Sequence, residues 1–430
     1  MKRVVIVGAD FAPSSLPPAL RIRYFASHLA EHGWQPTVLT TNPRHYTWPV
    51  DPENEGLVPP SVRVIRTGAL PARLTRRLGI SDIGMRTMLQ HWLALSRLCL
   101  RREVDLLFIP VPPYMPMLLG RLIHAQFGVP YVIDYIDPWV TDYYWKLPPA
   151  QRPPKWPLAN ALARLCEPLA LRRVAQITGV SHGTTESVRA RYPWLGAERA
   201  TEIPYGGEPS DMAYVQASRR ANPSFDRNDG LLHLSYTGAV IPSMHATVRA
   251  LFQAVCLGRA RLPALFGRLR MHFVGTSYAA GASEPQVLPL AREAGVEDLV
   301  EERPSRVAYL EALRILLDSH GLLVVGSEEP HYTASKLFPY ILARKPLLVV
   351  FHEASSVVRI VRETEAATLV TYGPQRSPQT QVELILAGLE QILRNPDQPP
   401  PTRWEAFEPY TTSAMAARLA GVFTQALDQA

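Results

Sequence analysis

Short apolar runs alternate along the chain with stretches of helical spacing, and this alternation predicts the elements. Arg3 to Gly8 is a β-branched run, Gly8 to Pro18 is a loop, and Leu20 to His32 carries apolar residues at helical spacing. Gly33 follows where a left-handed residue would end that helix. Further strands are expected at Thr37 to Thr40, Val62 to Arg66, Asp105 to Pro110, Tyr131 to Asp134, Gln176 to Ser181 and Thr201 to Pro204. Continuous apolar strands separated by helices imply a parallel sheet covered on both faces. Together they make one doubly wound unit of about 200 residues, an ordinary domain size.

A second unit opens in the same way. Leu232 to Gly238 is strand and turn, His245 to Cys256 a helix, and Leu269 to Gly275 a strand. Leu322 to Val325 and Pro346 to Phe351 are two more strands, with a helix over Lys336 to Ala343 between them. From Gln216 to Gly230 the chain turns polar and loses apolar period. The sequence therefore predicts an N-terminal Rossmann-like domain over 1–215 and a linker over 216–230. A C-terminal Rossmann-like domain follows over 231–402, then helices over 403–430 able to pack back on the first domain. The fold class is α/β, two Rossmann-like doubly wound domains facing a central cleft. Open sheets bind ligands beyond the carboxyl ends of their strands, so a cleft lined by backbone N–H groups and arginines suits a diphosphate.

Composition narrows this picture. At 430 residues the chain is long enough for two cores, and 47% hydrophobic against 19% charged residues excludes disorder. The 41 prolines, about twice the usual share, gather in loops such as Pro110 to Pro113. Cys99, Cys166 and Cys256 lie far apart with no metal spacing, which argues against a disulfide framework or zinc site and fits a reducing compartment. No run approaches the ~18 apolar residues of a bilayer span, and Met1 to Gly8 lacks the form of a signal peptide. The expectation is a cytoplasmic protein, with the inner face of the membrane as a candidate location. The net charge is +7, and between Arg63 and Arg102 nine arginines stand against the single acid Asp82. Such a block suits an anionic membrane surface, a phosphorylated substrate or a solvated helix face. No nucleic-acid partner is expected, because no stacking module or reading helix accompanies the charge.

Candidate chemistry gathers at strand ends. The loop Gly8 to Ser15 has no G-x-G-x-x-G, so the dinucleotide fingerprint is absent. Ser14, Ser15 and Arg21 at this strand-to-helix turn are candidates to hold a phosphate or an acceptor hydroxyl. Asp134 and Asp137 close an apolar strand, where a carboxylate can orient or deprotonate a sugar hydroxyl. Asp137 before Pro138 equally suits a helix N-cap. Gly238 and Gly275, the latter followed by Thr276, end strands in turns where backbone can approach a phosphate closely. Ser335 and Lys336 begin a helix, and free N–H groups, the positive dipole end and an ammonium together form an anion site.

A resemblance then becomes specific. Ser335-Lys336-Leu337-Phe338, Tyr340 and Lys345-Pro346-Leu347-Leu348 resemble the donor-site segment of GT-B glycosyltransferases of family 4. Asp134 to Trp139 is similar to the D-x-R-D-P-W stretch of a subgroup. Val180-Ser181 and Ile203-Pro204-Tyr205-Gly206-Gly207 are similar to the V-S and I-P-N-G-x-D landmarks. His28 to Thr40 is similar to the family's usual opening, with Trp34 in place of a histidine.

The resemblance implies retaining transfer from a nucleotide sugar (UDP-, GDP- or dTDP-linked) to a glycan, lipid-linked or small-molecule acceptor. It implies no metal and no cofactor beyond that co-substrate, and a role in cell-surface polysaccharide biosynthesis. By the same resemblance the domain over 1–215 is the acceptor side, Lys336 touches the diphosphate, Gly238, Gly275 and Thr276 border it, and Ser355 and Ser356 lie near the nucleotide or sugar. The family's paired glutamates fall on His331 and Pro339, with Glu328 or Glu329 as a substitute for the first, and its arginine falls on Ile136. His245 is the nearest basic candidate after Gly238. The candidate catalytic residues are thus Asp134, Asp137, Glu329 and His331. A nucleotide-sugar 2-epimerase of the same fold and a non-catalytic GT-B partner subunit stay open beside transfer. Met85, Met88, Leu89, Trp92 and Leu93 among the arginines, and Trp139, Tyr143, Tyr144, Trp145, Lys146, Lys155 and Trp156 downstream, suit either a membrane interface or a core.

Overall fold

The structure is a computed structural model describing all residues except 142–144, 146–151, 154, 219, 278–283, 330, 331, 333, 397 and 430. It divides into unit 1, Met1–Tyr205 with Thr412–Ala430, and unit 2, Gly206–Thr411.

Unit 1 contains β1 (Lys2–Val7), β2 (Trp34–Thr41), β3 (Arg63–Thr67), β4 (Leu106–Val111), β5 (Tyr131–Tyr135), β6 (Gln176–Gly179) and β7 (Ala200–Glu202). They form one parallel sheet in the order β3-β2-β1-β4-β5-β6-β7. Its helices are α1 (Pro17–His28), α2 (Ile83–Leu100), α3 (Met117–Phe127), α4 (Trp156–Leu171) and α5 (His182–Arg191). Helix α1 runs into a 3-10 turn ended by Gly33 at φ +82°, where glycine is favoured. Alternate residues of the central strands divide two cores. Val4, Ile6, Phe108 and Val132 meet Phe25 of α1 and Met415, Leu419 and Phe423 of the terminal helix Thr412–Asp428. Val5, Val7, Leu107, Ile109 and Ile133 meet Leu95 and Leu98 of α2, Leu119 and Ile123 of α3, Ala170 and Leu171 of α4 and Val188 of α5. Both sheet faces are therefore dry, which is why the strands read as unbroken apolar runs.

Unit 2 has β8 (Leu232–Thr237), β9 (Leu269–Val274), β10 (Val300–Arg303), β11 (Gly321–Val325), β12 (Leu347–His352) and β13 (Thr368–Tyr372). These too are all parallel, in the order β10-β9-β8-β11-β12-β13. The helices used below are α6 (Pro209–Ala217), α7 (His245–Arg261), α8 (Tyr309–Asp318), α9 (Leu337–Leu342) and α10 (Ser356–Thr364).

The stretch expected to be a linker, 216–230, instead lies on unit 2. Tyr309 OH donates to Asp211 Oδ2 at 2.7 Å and binds α6 to α8. Arg227 Nη1 donates to the carbonyls of Asp318 and Ser319 at 3.2 and 3.1 Å, and Phe225 stacks 4.3 Å from His233. Its polar composition hides a loop satisfied by hydrogen bonds rather than by apolar period.

Candidate functional site

In unit 2 the strand order reverses between β8 and β11. Loops leaving those two strands diverge, the position where open parallel sheets take ligands. Strand β8 ends in Gly238 at φ +124°, and a Cβ there would lie 2.7 Å from Lys336 Nζ. Both backbone conformation and close approach thus require glycine. Lys336 occupies the N-cap position of the short helix α9. Its Nζ donates to Tyr236 OH and sits 3.9 Å from that ring's centroid, a cation–π geometry. The Tyr236 hydroxyl in turn donates to Ala239 O at 2.8 Å. One helical turn later Tyr340 OH accepts from Thr237 N at 2.6 Å, so α9 is locked onto the tip of β8. Lys336 as a whole is half-buried, but its ammonium lies among protein atoms and has no carboxylate partner among the described residues. Burial pulls its pKa down to about 7.

Helix α7 leaves the same β8 loop, and its N-cap, Met244, supplies no side-chain acceptor. His245, in its first turn, has a buried Nε2 without a hydrogen-bond partner. Burial, then the neighbouring Arg249, lower its pKa. Gly275 ends β9 at φ +73°, and Arg306 Cα lies 3.8 Å from where its Cβ would be. An ammonium, a histidine, an arginine backbone and an uncapped helix end thus border the ends of β8 and β9, an arrangement that favours a polyanion.

Other candidates in unit 2 are engaged internally. Thr276 is buried, and its hydroxyl donates to Glu302. Glu302 also accepts from the backbone of Gln286, Val287 and Leu288 at 2.7–2.9 Å. Ser355 caps α10, accepting from Val357 N at 3.2 Å and donating to Tyr332 O at 2.7 Å. Ser356 is half-buried in the first turn of α10, and Ser335 is exposed beside Lys336. Glu329 is exposed after β11, its N–H held by Ser327 Oγ at 3.0 Å. His331 lies outside the described residues. A surface cavity lined by Thr368, Gln391 and Asn395 opens at the amino ends of β12 and β13, away from this chemistry.

In unit 1 the order reverses between β1 and β4. The loop after β1 is braced by Ser14, whose Oγ donates to Asp10 Oδ2 at 2.8 Å and accepts from Leu16 N and Trp48 Nε1, both at 3.3 Å. Burial pushes the Asp10 pKa up to about 6, against the pull of that hydroxyl. Trp48 stacks on Tyr46 with ring centroids 4.8 Å apart. Ser15 is half-buried on the same loop.

Arg21 and Asp134 are brought together, though 113 residues separate them. Nε and Nη2 of Arg21 grip the carboxylate at 2.7 and 2.9 Å. Thr178 Oγ1 adds a third donor at 2.7 Å, and Arg21 also donates to the carbonyls of Ile203 and Pro204 at 2.8 and 3.0 Å. Both side chains are essentially fully buried, at 1% and 0% exposure, so neither offers a free charge to substrate. They tie α1, β5 and the end of β7 together. Asp137 differs. Residues 136–141 contain bends and no helix, so it caps nothing there; the residue as a whole is exposed, and its carboxylate, lying against the protein, accepts no hydrogen bond from a described residue. Burial nonetheless raises its pKa.

Sequence reasoning missed Asp10, Trp48, Tyr236 and Arg306. Asp10 follows the first strand as Asp134 closes the fifth, and the same rule would have found it. Trp48 and Arg306 stand on loops without period, and they become neighbours of the strand ends only through the fold.

Two parallel doubly wound units of this kind are those of the GT-B fold. Residues 18–206 match the family model described as the glycosyl transferase 4-like domain. A glycosyltransferase from Rickettsia africae is 10% identical with a TM-score of 0.62, over 100% of this chain and 99% of that one. A UDP-forming α,α-trehalose-phosphate synthase from Burkholderia xenovorans is 11% identical at TM-score 0.58, over 99% of each chain. WaaG, a glycosyltransferase involved in lipopolysaccharide biosynthesis, is 14% identical at TM-score 0.55, over 97% of this chain and 99% of its own. At such identities the likeness is one of fold. No curated protein matches the sequence.

Proposed function

We propose that the protein transfers a glycosyl group from a UDP-, GDP- or dTDP-sugar to a glycan, lipid-linked or small-molecule acceptor in cell-surface polysaccharide assembly. Transfer is with retention and without a metal. One observation carries the reading: the Lys336 ammonium, lacking any described carboxylate, lies against Gly238 where the strand order of unit 2 reverses. A departing nucleoside diphosphate develops negative charge, and fixed donors placed for it lower the barrier electrostatically. Lys336, His245 and the first turn of α7 supply those donors, Gly238 and Gly275 let the phosphates approach, and Ser335 and Ser356 border the nucleotide or sugar. Asp137 orients the acceptor hydroxyl, and Glu329 meets the donor sugar. Ser15 and the loop braced by Ser14 border the acceptor. Among the described residues no helix is long and apolar enough to cross a membrane, so a lipid-linked acceptor would be reached from the membrane surface.

A thermal-shift screen of nucleoside diphosphates and their sugars identifies the donor, a ligand at a hundred times its Kd adding ~2.7 kcal/mol. Lys336→Met then weakens nucleoside diphosphate binding by roughly 10- to 100-fold, the loss of one charge-assisted contact. Undiminished binding would remove the basis of the proposal. Release of diphosphate only with acceptor supports transfer; an epimerised donor without acceptor selects the epimerase, and tight binding without turnover selects the partner subunit.

A further inference from the structure

Helices α2, α3 and α4 lie side by side on one face of the unit 1 sheet, linked by Trp92 Nε1 donating to Gln126 Oε1 at 3.0 Å and by packing of α3 on α4. Four of the aromatics and methionines that the sequence singled out turn inward, whereas Trp145 is exposed and Tyr143, Tyr144 and Lys146 lie outside the described residues. Met88, Trp92 and Trp139 pack on the core, and Trp156 is buried. Arg86 is buried as well, donating to the carbonyls of Leu70 and His45. What faces outward is leucine. On α4, Leu158, Leu165 and Leu169 are 75%, 63% and 47% exposed, at a spacing that sets them in one stripe. Leu122 continues the surface on α3, and Leu89 and Leu93 on α2. A helix normally hides its apolar stripe, and a row of three helices exposing leucines marks an interaction surface.

The charges say what it meets. The three helices contain one acid, Glu167, which is buried against Tyr135 and Tyr192. Arg97 on α2, Arg164 on α4 and Arg172 and Arg173 just beyond are exposed. A second copy docking through these helices would set arginine against arginine, since their outer faces carry no carboxylate among the described residues. Leucines flanked by cations complement anionic headgroups over acyl chains. We propose that the outer face of α2, α3 and α4 lies on an anionic lipid bilayer, leucines in the boundary and arginines at the headgroups. The inference stands apart from the transfer reading, because vesicle binding needs neither donor nor turnover.

The test is co-sedimentation of the full chain with vesicles of phosphatidylcholine alone and of phosphatidylcholine with phosphatidylglycerol. Binding to the second, weakened by salt and about tenfold weaker on the first, is expected. Arg164→Gln with Arg172→Gln lowers partitioning by at least about tenfold, at the usual contribution of a surface cation. Leu165→Gln with Leu169→Gln lowers it several-fold while thermal unfolding stays as in the wild type, since both side chains face outward. No binding at low salt overturns the proposal, as does binding that both double variants leave unchanged. A self-association abolished by the leucine variant, without vesicle binding, assigns the face to a second copy instead.

Discussion

An ammonium held beneath a tyrosine ring with no opposing carboxylate works against folding, and Lys336 sits in such a place. Its pKa falls from 10.5 to about 7. A group lowered in this way contributes stability that is present above pH 10.5 and is lost as pH falls through 7. Lys336→Met should therefore raise Tm most at pH 6 and give a smaller gain by pH 10, as calorimetry across that range would read. A Tm lowered at pH 6 would make Lys336 a structural residue. The paired expectation, more stability with less nucleotide binding, is the mark of a site that trades one for the other. At this scale the sequence was informative where a residue broke a local rule. Lysine at a helix start, and glycine ending an apolar run, both stand out in one dimension. It was least informative where an ordinary residue is recruited by the fold. Thr276 and Ser355 resemble ligand contacts in sequence, and only Glu302 and Tyr332 reveal that their hydroxyls are taken.

Between elements, the pair Arg21–Asp134 joins α1, β5 and the carbonyls of Ile203 and Pro204. Removing one member leaves the other charged and buried, which typically costs ~3–5 kcal/mol. Asp134→Ala should lose about that much in urea unfolding, and Arg21→Met with Asp134→Ala should lose less than the sum of the single changes. Additive losses would mean that the two do not act as a pair. The central strands β1, β4 and β5 of the unit 1 sheet were legible because both faces are dry and each is an apolar run, while the edge strands β3 and β7 are shorter and more polar. In unit 2, β10 and β13 were not. Both are edge strands, and β10 reads Val-Glu-Glu-Arg, its side chains recruited for ion pairs and for holding the backbone of Gln286 to Leu288. The polar stretch 216–230 was opaque for the same reason, since loops fixed by hydrogen bonds leave no hydrophobic period.

At the scale of the whole molecule, unit 1 is closed by residues from both ends of the chain. A protein ending at Thr411 lacks Met415, Leu419, Val422 and Phe423, all buried. At ~1.5–3 kcal/mol each, their loss rivals the ~5–15 kcal/mol that holds a typical domain together. Limited proteolysis of this truncation should digest unit 1 and spare a fragment beginning near Gly206, whereas equal protection of both units would show the terminal helix to be dispensable.

The order of synthesis gives this arrangement a temporal side. Residues 1–205 leave the ribosome able to pair their strands, yet the face bearing Val4, Ile6 and Phe108 stays uncovered until Thr412–Asp428 emerges. At ~5–20 residues per second the intervening unit takes roughly 10–40 s to be made. Residues 1–205 therefore wait, half-clad and adhesive, for that helix, and a holding chaperone would be needed most during that interval.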